Sequence, residues 1–135
     1  MSALTQSPFL ASIYVAAGGA IGAVARYQLG RAVTYWTGAG AGFPWATLAA
    51  NVLGCFAMGA LFGWLARHGA ANESVRLLLG VGLLGGFTTF SAFSLEVLLL
   101  AERGAHGSAV AYILVSVLAG IGALYAGLIM ARGLA

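Results

Sequence analysis

Four long apolar runs separated by short polar or turn-rich stretches leave this chain few architectures. The runs cover approximately residues 9–30, 45–66, 75–100 and 109–131, and a hydrocarbon layer about 30 Å thick needs only about 20 helical residues to cross. Backbone polar groups inside lipid must be satisfied within the segment, so each run is read as a helix. The stretches TYWTGAGAGFP (Thr34–Pro44), RHGAANES (Arg67–Ser74) and AERGAHGS (Ala101–Ser108) serve as connections. With 61% hydrophobic residues, 7% charged residues and a mean hydropathy of +0.99, an ordinary soluble domain is excluded. The expected fold is all-α and membrane-integral, one transmembrane domain spanning residues 1–135. No basic residue precedes the first run, so it lacks the positive region of a secretory signal and is expected to be retained.

All six basic residues are arginines, and they divide evenly. Four crossings place Arg67, Arg76 and Arg132 on one side, and Arg31 and Arg103 on the other, joined by Arg26 if it snorkels outward. Orientation follows the arginine and lysine difference between the two sides, which is close to zero here. Either copies insert both ways up, permitting an antiparallel dimer, or one well-placed arginine decides. Charges sitting at the ends of apolar runs do not suggest nucleic acid. Cys55 has no second cysteine to pair with, no Cys/His spacing marks a metal site, and His68 and His106 fall at interfacial or loop positions.

Glycine accounts for 21 residues, and several recur at helical spacing: Gly18 and Gly22, Gly59 and Gly63, Gly82 and Gly86. Small residues four apart let helix backbones approach closely, the main packing device in lipid. Four helices of this length enclose little space, so a homo-oligomer is expected, most simply a dimer.

The third run contains GGFTTFSAFS (Gly85–Ser94). As one helix the whole run would extend about 39 Å, longer than the hydrocarbon core. Gly85 and Gly86 are poor helix formers, and Thr88, Thr89 and Ser91 can bond locally to backbone. Two outcomes are open: an unwound turn whose freed carbonyls could hold a cation, or an intact, closely packed helix with hydroxyls bonded to the preceding turn. Phe87, Phe90 and Phe93 share a broad face, with Ser94 four residues beyond Phe90. Ring edges carry positive density, so rings alternating with hydroxyls either line an anion path or simply pack.

Thr47 and Asn51 lie one turn apart on the second run, as do Tyr112 and Ser116 on the fourth. The Asn51 amide can donate to a dehydrated anion or make an interhelical hydrogen bond. The first, second and fourth runs contain no acid, and the third only Glu96 near its end. Glu96 pairs with an arginine or faces an aqueous vestibule. The main rival reading, a small dual-topology proton-coupled cation or drug exporter, would want an acid deep in a helix. A cation channel filtering through unwound carbonyls and a purely structural membrane subunit are further alternatives.

Taken together, GGAIGAVARY (Gly18–Tyr27), the Pro44–Cys55 pattern with Thr47, Asn51 and Gly54, and GLLGGFTTFSAFSLE (Gly82–Glu96) resemble the Fluc or CrcB-like fluoride channels over essentially the whole chain. The resemblance implies a passive channel, not an enzyme, that exports fluoride and lowers its cytoplasmic concentration. It implies a multi-pass protein of the inner (plasma) membrane. The functional unit would be a dual-topology antiparallel homodimer with two pathways and a broken third helix. Carbonyls of Gly85 and Thr88 from both subunits would hold a structural sodium ion at the dimer centre. Phe90 and Phe93 would turn ring edges to fluoride beside Ser94, and Asn51 would donate to it. Thr47, Tyr112 and Ser116 would continue a polar track, with Arg26 near an entrance. Ala92 and Gly120 stand where many members carry hydroxyls, which interrupts that track here.

Overall fold

The structure, a computed structural model, describes residues 7–68 and 73–133. Its helices are α1 (Pro8–Thr37), α2 (Trp45–His68), the short α3 (Glu73–Val75), a π-helical segment (Arg76–Leu84), α4 (Gly85–Phe87), α5 (Phe90–Glu102) and α6 (His106–Gly133). From α3 to α5 the chain forms one interrupted span, Glu73–Glu102, so that among the described residues four spans are long and apolar enough to cross a membrane. Residues 1–6, where the expectation of a retained N-terminus falls, and residues 69–72 of the second connection lie outside the described residues.

Local chemistry sets the helix ends. The Ser7 hydroxyl accepts from the Leu10 N–H at 3.3 Å, and Pro8 occupies the first turn, where its missing N–H costs nothing. The expected connection from Thr34 to Pro44 is shorter than the sequence suggested, because Thr34, Tyr35, Trp36 and Thr37 continue α1. The helix stops only at Gly38, at φ 86°, whose N–H returns to the Thr34 carbonyl. Tyr35 and Trp36 are strongly exposed, as suits rings at the headgroup level. After α5, Gly104 at φ 78° and the bonds Gly104 N–H to Ala101 O and Ala105 N–H to Leu100 O form a Schellman turn that releases α6.

Packing depends on backbone approach more than on side-chain bulk. A Cβ at Gly18 would strike the Leu78 carbonyl, and one at Gly22 the Leu83 carbonyl; Gly82 and Gly86 face α1 in the same way. This seam joins α1 to the first half of the interrupted span in parallel. A second parallel seam joins α2 to α6, where a Cβ at Gly59 would meet the Leu124 carbonyl and one at Gly127 the Phe56 carbonyl. The buried apolar set is small: Leu48, Leu100, Ala109 and Tyr112 form its centre, while residues such as Ile21, Leu118 and Ile121 face outward. Lipid tails are as apolar as a core, so close van der Waals contact takes the place of hydrophobic burial.

Gly59→Ala should therefore destabilise the protein by about 1–3 kcal/mol through overpacking. Gly122→Ala, where a Cβ meets nothing within 4 Å, should be neutral or stabilising by up to about 1 kcal/mol. Thermal unfolding of both variants in detergent checks the contrast.

Candidate functional site

At Thr88 and Thr89 the backbone turns extended, with φ −88°, ψ 158° and φ −151°, ψ 127°. The break stands between α4 and α5, in the middle of an apolar span. Every polar group exposed by such a break needs a partner at membrane depth, and the neighbouring helices supply several. In a continuous helix the Thr89 N–H would reach the Gly85 carbonyl; here it donates to Asn51 Oδ1 at 2.8 Å. Asn51 Nδ2 donates in return to the Thr89 carbonyl at 2.9 Å. The amide thus behaves like one rung of backbone, leaving its second N–H free to donate elsewhere. Thr89 Oγ1 accepts from the Ala92 N–H at 3.2 Å and caps α5, while Thr88 Oγ1 donates to the Leu84 carbonyl at 2.9 Å and finishes α4.

Both readings of GGFTTFSAFS hold in part. The helix is interrupted, yet Thr88 and Ser94 do bond to the preceding turn, Ser94 Oγ donating to the Phe90 carbonyl at 2.9 Å. Beside the break lies a groove of about 520 Å³ lined by Asn51, Thr88, Thr89, Phe90, Phe93 and Ser116, with Cys55 and Gly85 also on its wall. None of its lining residues carries a formal charge. Phe90 and Phe93 lie 5.6 Å apart between ring centroids, tilted at 40°. Phe93 also packs on Tyr112 at 5.0 Å, whereas Phe90 is 78% exposed. Ser116 Oγ is buried and makes no hydrogen bond. Ser94 is exposed and does not line this groove.

Thr47 and Asn51 share a face of α2 but serve different partners. Thr47 Oγ1 donates to Glu96 Oε1 at 2.6 Å, and the Tyr112 hydroxyl donates to Glu96 Oε2 at 2.7 Å. Of the two expectations for Glu96, no arginine pair is seen among the described residues, where the carboxylate receives two hydroxyls; Glu96 also borders a small cavity with Pro44 and Arg103. The reason is placement: α2 and α6 each present a hydroxyl at the depth of Glu96, so a charge-assisted bond forms on each oxygen. The missed signal was the acid itself, which at this depth needed donors from neighbouring helices.

Arg26 also has a role that sequence reasoning did not find. Its Nε donates to the Gly86 carbonyl at 3.2 Å, just before the break. It also lines a second cavity, of about 890 Å³, with Tyr27, Arg31, Thr34, Tyr35 and Thr47. The available signal was spacing, since Gly18, Gly22 and Arg26 fall four apart on the face of α1 that meets α4. Of the residues singled out from sequence, Asn51, Gly85, Thr88, Phe90, Phe93 and Ser116 come together at the groove. Tyr112 touches it only through Phe93, while Thr47 and Arg26 line the larger cavity instead.

The family described as CrcB-like protein, Camphor Resistance (CrcB), matches residues 13–128. The chain belongs to the CrcB-like family. A relative from Novosphingobium aromaticivorans is 56% identical over 125 residues, covering 93% of this chain and 98% of its own. One from Phenylobacterium zucineum is 59% identical over 123 residues, covering 90% and 95%. A third, from Erythrobacter litoralis, is 53% identical over 131 residues, covering 95% and 96%. All three are named fluoride-specific ion channel FluC. The CrcB-like match takes in the first-span glycines, Asn51 and the whole broken segment.

If Asn51 closes the break as described, Asn51→Leu should leave the Thr89 N–H and C=O unpaired and cost about 1–3 kcal/mol. Thermal unfolding in detergent, with Val52→Leu as a nearby apolar control, tests this.

Proposed function

We propose that the chain is the subunit of a passive, fluoride-selective channel that exports fluoride and lowers its concentration in the cytoplasm. The observation that carries this reading is the groove at the break, lined by neutral donors and the Phe90 and Phe93 rings with no formal charge on its wall. The names of the CrcB-like relatives support the ion assignment. Fluoride is small and strongly hydrated, so a selective path must replace its water with close donors. The second Asn51 N–H, the unbonded Ser116 hydroxyl and the edges of Phe90 and Phe93 suit that task. Beyond them, Thr47 and Tyr112 carry the polar surface toward Glu96. A fixed cation against the ion in low dielectric would bind too tightly for release. The driving force is the membrane potential, about 2.3 kcal/mol per charge for each 100 mV, which pushes an anion out of a negative interior. Such a protein belongs in the inner (plasma) membrane as a multi-pass channel, and it is no enzyme.

The working unit in this reading is an antiparallel dual-topology homodimer with two pathways. The exposed face of α5, with Phe90, Ser91 and Ser94 uncovered, is poorly suited to lipid and well suited to a second copy. Gly85 and Thr88 fit a sodium ion between two such breaks. Thr89 gives its N–H to Asn51, so the Gly85 carbonyl loses its helical partner, and backbone carbonyls are among the oxygen donors that hard cations take. The ion would hold the two breaks together by charge. The proton-coupled exporter finds less support, because Glu96, in the middle of α5, has both carboxylate oxygens engaged by the Thr47 and Tyr112 hydroxyls.

Purified protein in liposomes should release fluoride rapidly and hold back chloride, sodium and potassium, measured side by side with ion-selective electrodes. Rapid cation release without fluoride release would contradict the proposal. Asn51→Asp should largely stop fluoride flow in the same assay, because a carboxylate repels the anion and also the Thr89 carbonyl it would face. Unchanged flow in that variant would remove Asn51 from the pathway.

A further inference from the structure

We propose that Arg26 is a positioning residue, acting through the N–H of its Nε on the broken span rather than through its charge on the passing anion. The inference rests on the channel reading above and concerns how the pathway is held in shape.

The Gly86 carbonyl is the group at issue. In an uninterrupted helix it would accept the Phe90 N–H four residues on, but the extended backbone at Thr88 and Thr89 carries Phe90 out of that register. Arg26 Nε takes its place, at 3.2 Å. A carbonyl orphaned at membrane depth costs free energy, so this contact stabilises the broken form against a rewound helix, in which Phe90 would reclaim the carbonyl. Asn51 does the corresponding service for Thr89. The break is therefore held from two sides, by α1 through Arg26 and by α2 through Asn51.

The glycine seam makes the reach possible. Gly22 lies one turn before Arg26, with the Leu83 carbonyl and Phe87 N–H where its Cβ would be, and Gly86 is set against the Gly19 backbone. That contact fixes the separation of α1 and α4 and leaves Arg26 half-buried at the edge of the 890 Å³ cavity. Phe90 follows the break directly, so any shift of Gly86 moves the ring that borders the groove.

Gln supplies the discriminating substitution, because its Nε2 falls at the same distance along the side chain as Arg Nε and keeps a donor while removing the charge. Fluoride release from liposomes is measured for wild type, Arg26→Gln and Arg26→Met, each confirmed monodisperse, over a range of internal fluoride. Positioning predicts that Arg26→Gln stays within about twofold of wild type and that Arg26→Met loses roughly tenfold in maximal rate, the scale of one lost charge-assisted bond. Equal loss in both variants, or a loss confined to low fluoride, would assign the effect to charge and overturn the proposal. Wild-type flow in Arg26→Met would overturn it too. Should Arg26→Met not insert, Arg26→Gln alone decides, near-native flow supporting and roughly tenfold loss opposing. Absence of fluoride release from wild type itself would sink the channel reading instead, which keeps the two failures apart.

Discussion

The reciprocal pair between Asn51 and Thr89 is the interaction on which the rest of the site depends. A transmembrane helix that opens in mid-span exposes donors and acceptors where no water can satisfy them, so the break persists only if other groups take over its lost bonds. Asn51 does this in both directions at 2.8 and 2.9 Å, and Thr89 then caps the helix that follows. With those bonds in place, Phe90 and Phe93 face the groove, and the Gly85 carbonyl is released from helical pairing. An amide is well chosen for the position, since it offers donor and acceptor together without a charge.

Around that pair the molecule arranges its few polar groups by type. Formal charge is kept off the groove wall: Arg26 bonds the span from α1, and Glu96 is held by Thr47 and Tyr112. Glycine does the remaining work by letting α1 settle on the interrupted span and α2 on α6. Under the proposed channel function such seams would matter, because a groove that discriminates by size must keep its shape. They also explain why so little of the chain is buried within a single copy.

Much of this was legible from residue order, for reasons that differ between elements. Apolar run length revealed the four spans, since lipid imposes a minimum helix, but not the extension of α1 to Thr37, because Thr34–Thr37 are compatible with both helix and turn. The Gly85–Gly86 pair with Thr88 and Thr89 raised the possibility of an interruption. Local propensity left it open because the outcome turns on Asn51, a residue 38 positions from Thr89. The fates of Glu96 and Arg26 were hidden for the same reason: their partners lie on other helices, and spacing along one helix does not reveal which neighbour it meets.

The central claim is that the third span is broken at Thr88 and Thr89 in the bilayer and that Asn51 keeps it so. Solid-state NMR of the protein in lipid, with backbone carbons labelled at residues 87–90, tests it most directly. Extended-backbone shifts are expected at Thr88 and Thr89 between helical shifts at Phe87 and Phe90, with movement of the Thr89 shift in Asn51→Leu. Helical shifts at all four residues, or a Thr89 shift indifferent to Asn51, would contradict it.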